Sequence, residues 1–379
     1  MINFLMIKFN IPYLSGKELE FMRSVVESNS FQGDGPFSKK VETVLAEKFQ
    51  YKKNFLTSSG TQALEMAGLL SNIVKGDEVI MPSYTFSSTA NAFILRGAKI
   101  KFIDVNPETM NWDENLLEDA ITNKTKVLVP VHYAGVSCNM EKVMKIATDN
   151  NLMVVEDAAQ CILSSFKDKA LGSIGDFGIL SFHETKNIQC GEGGAISINN
   201  PKFHRISDII VEKGTNRKEF LNGEVDKYTW VNQGSSYLVN EMTSAFLFAQ
   251  LMDVEKVVEK RLFVWNKYYD MLKENENLEL QKIPSYAKHN GHIFYVKLKN
   301  KEIRNKLMLY LKQKGIDSRT HFVPLHSSPF GLKNSEFIGE DKYTTTGYDR
   351  LLRLPLHFYL SNDDIEQVVS SINYFFKEF

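Results

Sequence analysis

Val154-Val155-Glu156-Asp157-Ala158-Ala159-Gln160 and Ser181-Phe182-His183-Glu184-Thr185-Lys186-Asn187 are the stretches that decide the fold. The first is an apolar run that ends in a carboxylate. The second continues the apolar run Ile179-Leu180 and leads through Lys186 to Gly191-Glu192-Gly193-Gly194. Apolar runs of this length suit strands buried on both faces of a parallel sheet. Ligands of such sheets bind beyond the carboxyl ends of the strands, and Asp157 and Lys186 are both expected there. A lysine amine can bond an aldehyde, and a carboxylate can pair with a pyridinium nitrogen. Together they suit pyridoxal 5'-phosphate (PLP). Read singly, Asp157 is equally an N-cap for a following helix, and Lys186 an ordinary surface lysine.

Outward from these stretches, helical spacing is expected over 16–29, 41–49, 61–70 and 140–150. Strands are expected at 54–57, 78–81, 99–104, 126–131, 152–156, 178–182 and 195–198. The alternation is the βαβ rhythm of an α/β protein. A long helical pattern over 240–275 leads into a C-terminal part that reads as α+β. That part has a strand at 292–298, a helix at 302–314 and a last helix capped by Ser361-Asn362-Asp363-Asp364. The boundary is expected near residue 250, with a large PLP-binding domain over 1–250 and a small domain over 251–379.

The 379 residues are 43% hydrophobic and 24% charged, enough for a sizeable core. Lys+Arg (45) and Asp+Glu (46) nearly balance, so no basic excess draws the chain to nucleic acid or anionic lipid. Cys138, Cys161 and Cys190 form neither a metal-ligand spacing nor an even disulfide set. No metal is expected, and free thiols suit a reducing cytosol. Residues 1–9 are apolar but make a poor secretory signal. No apolar run approaches the ~18 residues of a membrane span. A soluble, cytoplasmic protein is expected.

Other motifs surround the Asp157–Lys186 pair. Thr57-Ser58-Ser59-Gly60-Thr61 joins a strand to a helix, whose N-terminus can hold a phosphate. There Ser59 and Thr61 would add hydroxyls and Gly60 a close backbone approach. An ordinary N-cap competes with this reading. In Pro82-Ser83-Tyr84-Thr85-Phe86, an aromatic side chain can stack on a flat ring. Gln160 can hydrogen-bond a ring hydroxyl or lie on a helix surface. Ser181 can donate to the phosphate, and Asn187 can steady the turn. The glycines after Lys186 let the chain bend tightly.

Taken in order, Gly33-Asp34-Gly35-Pro36, the segment Pro82 to Phe86, the segment Glu156 to Gln160, and Lys186 with its glycines resemble the DegT/DnrJ/EryC1/StrS family of sugar aminotransferases. So do His321-Phe322-Val323-Pro324-Leu325-His326 and Leu354-Pro355-Leu356-His357. The resemblance runs from Pro12 to the C-terminal helix. It implies the type I PLP aminotransferase fold: a large domain on a mostly parallel mixed sheet, and a smaller C-terminal α+β domain. It implies Lys186 as the catalytic residue. As cofactor contacts it implies Ser59, Gly60, Thr61, Phe86, Asp157, Gln160, Ser181 and Ser236. Lysine is retained where related sugar dehydrases carry histidine, which favours transamination.

Segments 81–105, 129–136, 181–187, 213–217, 225–230 and 234–238 are more similar still to one group of the family. That group converts dTDP-4-dehydro-6-deoxy-D-glucose to dTDP-4-amino-4,6-dideoxy-D-galactose. It implies a nucleotide-sugar substrate, L-glutamate as donor, and a place in the assembly of surface polysaccharide, such as enterobacterial common antigen or lipopolysaccharide O-antigen. Within its segments Tyr84, Tyr133, His183, Arg217, Tyr228, His321 and His326 are candidate substrate contacts, with Arg217 suited to a pyrophosphate. The family builds its sites at a dimer interface, so a homodimer or larger homo-oligomer is expected. One segment departs from the family. Many members have Gly-x-Asn-x-Arg-Met reaching the neighbouring subunit's cofactor; here Ser236 takes the Asn position and Leu238 the Arg position. Two alternatives stay open. One is a 3-oxo or other 4-oxo sugar nucleotide, or an oxo-inositol, as substrate. The other is a PLP-free regulatory or scaffold protein on the same fold.

Overall fold

The computed structural model describes residues 6–378. Residues 1–5 of the apolar start lie outside the described residues. The central sheet has eight strands: β1 (Asn54–Thr57), β2 (Glu78–Pro82), β3 (Lys99–Ile103), β4 (Thr125–Leu128), β5 (Met153–Asp157), β6 (Phe177–Ser181), β7 (Gly194–Ile198) and β8 (Ser335–Phe337). Their spatial order is β1-β7-β6-β5-β4-β2-β3-β8. Neighbours pair in parallel, except that β7 runs antiparallel to both β1 and β6. The carboxyl ends of all strands but β7 therefore gather at one edge, where β7 begins.

Successive side chains of a strand point to opposite faces. Ile80, Leu128 and Val154 enter one core, and Val79, Val127 and Val155 the other. All six are fully buried. The first face is covered by helices Pro36–Phe49, Met140–Asp149 and Glu241–Leu251. The second is covered by Gly60–Leu70, Ser87–Ile94 and His204–Val211. A third core lies in the C-terminal part. There helices Val254–Leu272, Lys301–Gln313 and Asn362–Glu378 contribute to it, as does a small antiparallel sheet of Glu279–Leu280, Tyr295–Lys297 and Leu351–Arg353.

The alternation separates two adjacent carboxylates in β5. Glu156 follows the parity of Val154 and is fully buried. Its Oε1 accepts from Ile174 N and Gly175 N, both at 2.7 Å. Its Oε2 accepts from Gly172 N at 3.0 Å and meets His132 Nε2 at 3.1 Å. His132 Nδ1 accepts from Cys138 N at 3.1 Å, so the imidazole proton sits on Nε2 and is donated to Glu156. Asp157 follows the parity of Val155 and reaches the opposite face. There Thr89, from helix Ser87–Ile94, donates to its Oδ2 at 2.7 Å.

Several elements differ from their expected bounds; the strand expected at 292–298 is only Tyr295–Lys297, and three others show a physical reason. The helix expected at 41–49 begins at Pro36. Proline suits the first helical turn, and the free N–H groups of Phe37 and Ser38 are taken by the distant Glu241 carboxylate at 2.6 and 2.9 Å. The strand expected at 126–131 is regular only over Thr125–Leu128; Pro130 has no N–H to donate, and beyond it the pairing continues only as an isolated bridge from Val131 to Asp157. The helical run expected at 240–275 is two helices, Glu241–Leu251 and Val254–Leu272. The break at Met252-Asp253 goes with a hydrogen bond from Tyr13 Oη to Asp253 Oδ2 at 2.5 Å. The proposed domain division near residue 250 would fall there, while β8 returns from the C-terminal part to the central sheet.

Replacing Glu156 by Gln turns one acceptor atom into a donor facing buried N–H groups. Glu156→Gln is expected to lower stability by ~2–4 kcal/mol, read as a lower urea midpoint at unchanged slope. A wild-type midpoint would refute the role given to this carboxylate.

Candidate active site

The site forms where the strands end. Beyond β1, Ser59-Gly60-Thr61 opens helix Gly60–Leu70, and Ser59 Oγ accepts from Gln62 N at 3.1 Å as an N-cap. Thr61 Oγ1 lies 2.7 Å from Ser88 Oγ, at the start of helix Ser87–Ile94. Two helix N-termini thus come together, each favouring an anion. Ser181, the last residue of β6, closes this corner. A Cβ on Gly60 would stand 3.0 Å from Ser181 Cβ. One on Gly194 would stand 2.4 Å from the Ser59 carbonyl carbon and 2.5 Å from Gly60 N. Glycine at both places lets the strand ends meet closely, with the hydroxyl-bearing Ser59, Thr61 and Ser181 at the corner.

Asp157 is buried and held by Thr89, which in turn lies 2.9 Å from Thr85 Oγ1. Gln160 Oε1 accepts from Ala134 N at 2.7 Å, which commits its carbonyl end and leaves its NH₂ end as the donor. Lys186 sits in the loop between β6 and β7. That loop is tied across by Phe182 N to Gly193 O (2.8 Å), Glu184 N to Gly191 O (3.0 Å) and Cys190 N to Phe182 O (2.9 Å). Gly191 takes φ +77°, a left-handed turn that suits glycine. Burial pushes the Lys186 amine below the usual lysine range, against the opposing pull of Asp157 and Cys161, and Arg353 pushes the same way as burial. A lysine so shifted is a better nucleophile near neutral pH.

An aromatic wall stands beside this group. Tyr84 and Tyr133 are fully buried, with ring centroids 5.1 Å apart. Tyr133 Oη is 2.7 Å from His321 Nδ1, and the His321 ring stacks on Phe322 at 3.7 Å. Burial, then the charges of Arg353, His292 and Lys186, hold His321 well below the usual histidine range. Burial raises the Tyr133 hydroxyl. Both are therefore uncharged at neutral pH. Phe86 precedes helix Ser87–Ile94, 59% exposed, with Phe322 at 6.1 Å.

Of the remaining candidates, only His183 lies in the loop of Lys186, its Nδ1 2.9 Å from Thr185 Oγ1. His326 has both ring nitrogens engaged, Nδ1 with Ser83 Oγ at 2.7 Å and Nε2 with Asp341 at 3.1 Å. Arg217 donates to Glu212 at 2.7 Å, and exposed Ser236 bridges to Glu212 through the backbone. Tyr228 is exposed beside Phe220. Arg217, Tyr228 and Ser236 thus lie on one surface stretch. Residues not anticipated from the sequence also reach the site. Thr89 holds Asp157, and Asn290 and His292 contact Asn187. The Arg353 guanidinium, bonded to Thr320 O at 3.0 and 3.2 Å, acts electrostatically on Lys186, Tyr133 and His321. The available signal was Arg353 beside Leu354-Pro355-Leu356-His357, and the polar run His289-Asn290-Gly291-His292 before an apolar strand.

The DegT/DnrJ/EryC1/StrS aminotransferase family matches residues 12–373. The chain belongs to this family. GDP-perosamine synthase of Escherichia coli O157:H7 is 30% identical over 373 residues, 97% of this chain and 98% of that protein. Aminotransferase TlmJ from Streptoalloteichus hindustanus superposes with a TM-score of 0.90 at 25% identity, over 98% of this chain and 99% of its own. E. coli GDP-4-keto-6-deoxy-D-mannose-3-dehydratase, solved with bound hydrated PLP, shares the fold at a TM-score of 0.87 and 22% identity, over 97% of this chain and 99% of its own. The protein is a PLP-dependent aminotransferase with the type I fold. The residues present fit PLP: a glycine-lined anion corner, a fixed buried carboxylate and a lysine of lowered pKa.

A methyl group at position 194 would push that corner apart. Gly194→Ala is expected to weaken PLP binding more than ~10-fold, about 1.4 kcal/mol, in a fluorescence titration. Unchanged affinity would show that the corner does not hold the phosphate.

Proposed function

We propose that the enzyme transfers an amino group from L-glutamate to dTDP-4-dehydro-6-deoxy-D-glucose, giving dTDP-4-amino-4,6-dideoxy-D-galactose and 2-oxoglutarate. The observation that carries this reading is the Tyr84–Tyr133–His321 wall beside Lys186. Backed by the buried Tyr84 and Tyr133, the partly exposed His321 presents an uncharged imidazole next to the aromatic faces of Phe322 and Phe86, which suits a sugar bearing both hydroxyls and a methyl group. A second reading keeps the reaction and changes the nucleotide. It is favoured by the similarity to GDP-perosamine synthase along nearly the whole chain, and it makes the substrate a GDP-linked 4-keto sugar.

When bound, PLP supplies an aldehyde for amines and a ring that takes up the electrons of a broken C–H bond. In this proposal Lys186 holds the cofactor, and its Nζ moves the proton at the nitrogen-bearing carbon, first from the donor and later to the sugar. Asp157, fixed by Thr89, would keep a proton on the ring nitrogen. The NH₂ of Gln160 would be the donor available to the ring hydroxyl, and Phe86 would supply an aromatic face for the ring. Gly60, Thr61, Ser59 and Ser181 would hold the phosphate. Ping-pong kinetics follow.

Arg217, Tyr228 and Ser236 belong, in this reading, to a contact with a second copy of the chain. Tyr228, Trp230 and Val231 are exposed on the same stretch, Trp230 by 77%, and such apolar exposure suits a covered surface. Among the described residues no helix is long and apolar enough to cross a membrane. Among them no group of three or more His, Cys, Asp or Glu side chains is placed to hold a metal ion. A cytoplasmic role in making precursors of surface polysaccharide is part of the proposal.

Three experiments test it. Lys186→Ala should lose the visible band of the bound cofactor and all turnover while keeping a native circular dichroism spectrum; turnover by this variant would sink the assignment. Asp157→Asn should fold but turn over at least ~100-fold more slowly. The purified enzyme should then be given glutamate with the dTDP-linked or the GDP-linked 4-keto sugar, and the product solved by NMR. Amination of the GDP sugar alone would favour the second reading. Amination at C3, or of neither, would refute both.

A further inference from the structure

Behind Lys186 lies a buried polar network that the reaction scheme above leaves unused. Asn187, the next residue, donates from Nδ2 to Asn290 O at 3.0 Å. Its Oδ1 lies 2.8 Å from His292 Nδ1. A backbone carbonyl only accepts, so the NH₂ of Asn187 is fixed on Asn290 O and its Oδ1 faces the imidazole. Nδ1 of His292 therefore carries the proton, and the ring is the neutral Nδ1–H tautomer.

The same loop grips the Gln160 segment. Asn290 donates from Nδ2 to Gln160 O at 2.9 Å and Ile162 O at 2.8 Å, while its Oδ1 accepts from His292 N at 3.1 Å. Arg261 anchors the loop from behind, donating to Gly291 O at 3.1 Å and His292 O at 2.8 Å. Asn187, Asn290, His292 and Arg261 are all buried. The packing leaves no slack. A Cβ on Gly135 would meet Asn290 Oδ1 at 2.2 Å, and one on Gly291 would meet the Arg261 backbone at 2.8 Å.

We propose that Asn187, His292 and Asn290 form a brace that fixes the Lys186 turn to the Gln160 segment and keeps the partly buried Lys186 amine in a defined position. The proposal rests on Lys186 being the cofactor lysine. His292, Asn187 and Asn290 are positioning residues, acting through Lys186 and Gln160. The charge environment agrees with a neutral brace. His292 faces Lys186, Arg261 and Arg353, and burial followed by these three charges holds it well below the usual histidine range. Lys186 itself faces Asp157, Cys161 and Arg353.

The test uses the full-length chain stripped of cofactor. Added PLP is captured on Lys186, followed by the rise of the visible band across a pH series and confirmed by borohydride trapping and peptide mass. Capture needs the neutral amine. Loosening the brace admits water, raises the Lys186 pKa and moves the capture midpoint to higher pH. His292→Ala should slow capture at pH 7 at least ~10-fold and shift the midpoint upward. His292→Asn, which places an amide NH₂ near the former Nδ1, should restore both to within about threefold of wild type. Asn187→Asp removes the donor to Asn290 O and should reproduce the loss, and it serves if His292→Ala fails to fold. Wild-type capture and midpoint in both His292→Ala and Asn187→Asp would overturn the brace. So would a His292→Asn variant as slow as His292→Ala at an equal melting temperature. Trapping of wild-type enzyme at a lysine other than Lys186 would overturn the proposed function itself, a result distinct from either.

Discussion

A fully buried carboxylate sets the orientation of everything at the catalytic edge. Glu156 satisfies four donors: three backbone N–H groups of the Gly172–Gly175 turn and the His132 imidazole. A strand residue anchored this firmly cannot slip by one position without stranding those donors. The neighbouring Asp157 must then point to the opposite face, where Thr89 waits. One structural carboxylate thus aims the next, and the same strand serves both the core and the chemistry.

Close packing adds the second constraint. The corner made by Ser59, Gly60, Ser181 and Gly194 exists because two positions carry no side chain. The brace behind Lys186 is equally tight at Gly135 and Gly291. Between them the Lys186 loop is gripped from in front and from behind. The aromatic wall of Tyr84, Tyr133 and His321 belongs to a small cluster that also contains Tyr295 and Leu351 of the C-terminal sheet, so it forms where the two parts of the chain meet.

Much of the sheet was legible because it is encoded locally. The runs around Val79, Val127, Val154 and Ile179 read as doubly buried strands, and they are. Asp157, Lys186 and Gly60 could be singled out because each lies at the end of such a run. What could not be read depends on partners far along the chain. The start of helix Pro36–Phe49 is capped by Glu241, and the break at Asp253 accompanies a bond from Tyr13. Thr89 and His292 carry no local mark of their roles; only folding brings them to Asp157 and Asn187. The mostly surface-lying residues Arg217, Tyr228 and Ser236 were singled out only by resemblance, and a single chain gives them little to touch.

The reversed direction of β7 has a consequence for how this architecture can diversify. Because Ser181 and Gly194 are paired partners in adjacent strands, the loop bearing Lys186 leaves and re-enters the sheet at the same point. Its backbone is closed like a clasp, and it carries the four-carbon stem of the lysine. A different side chain at position 186 would inherit the same address without any rebuilding of the loop. The scaffold thereby separates where chemistry happens from which chemistry it is.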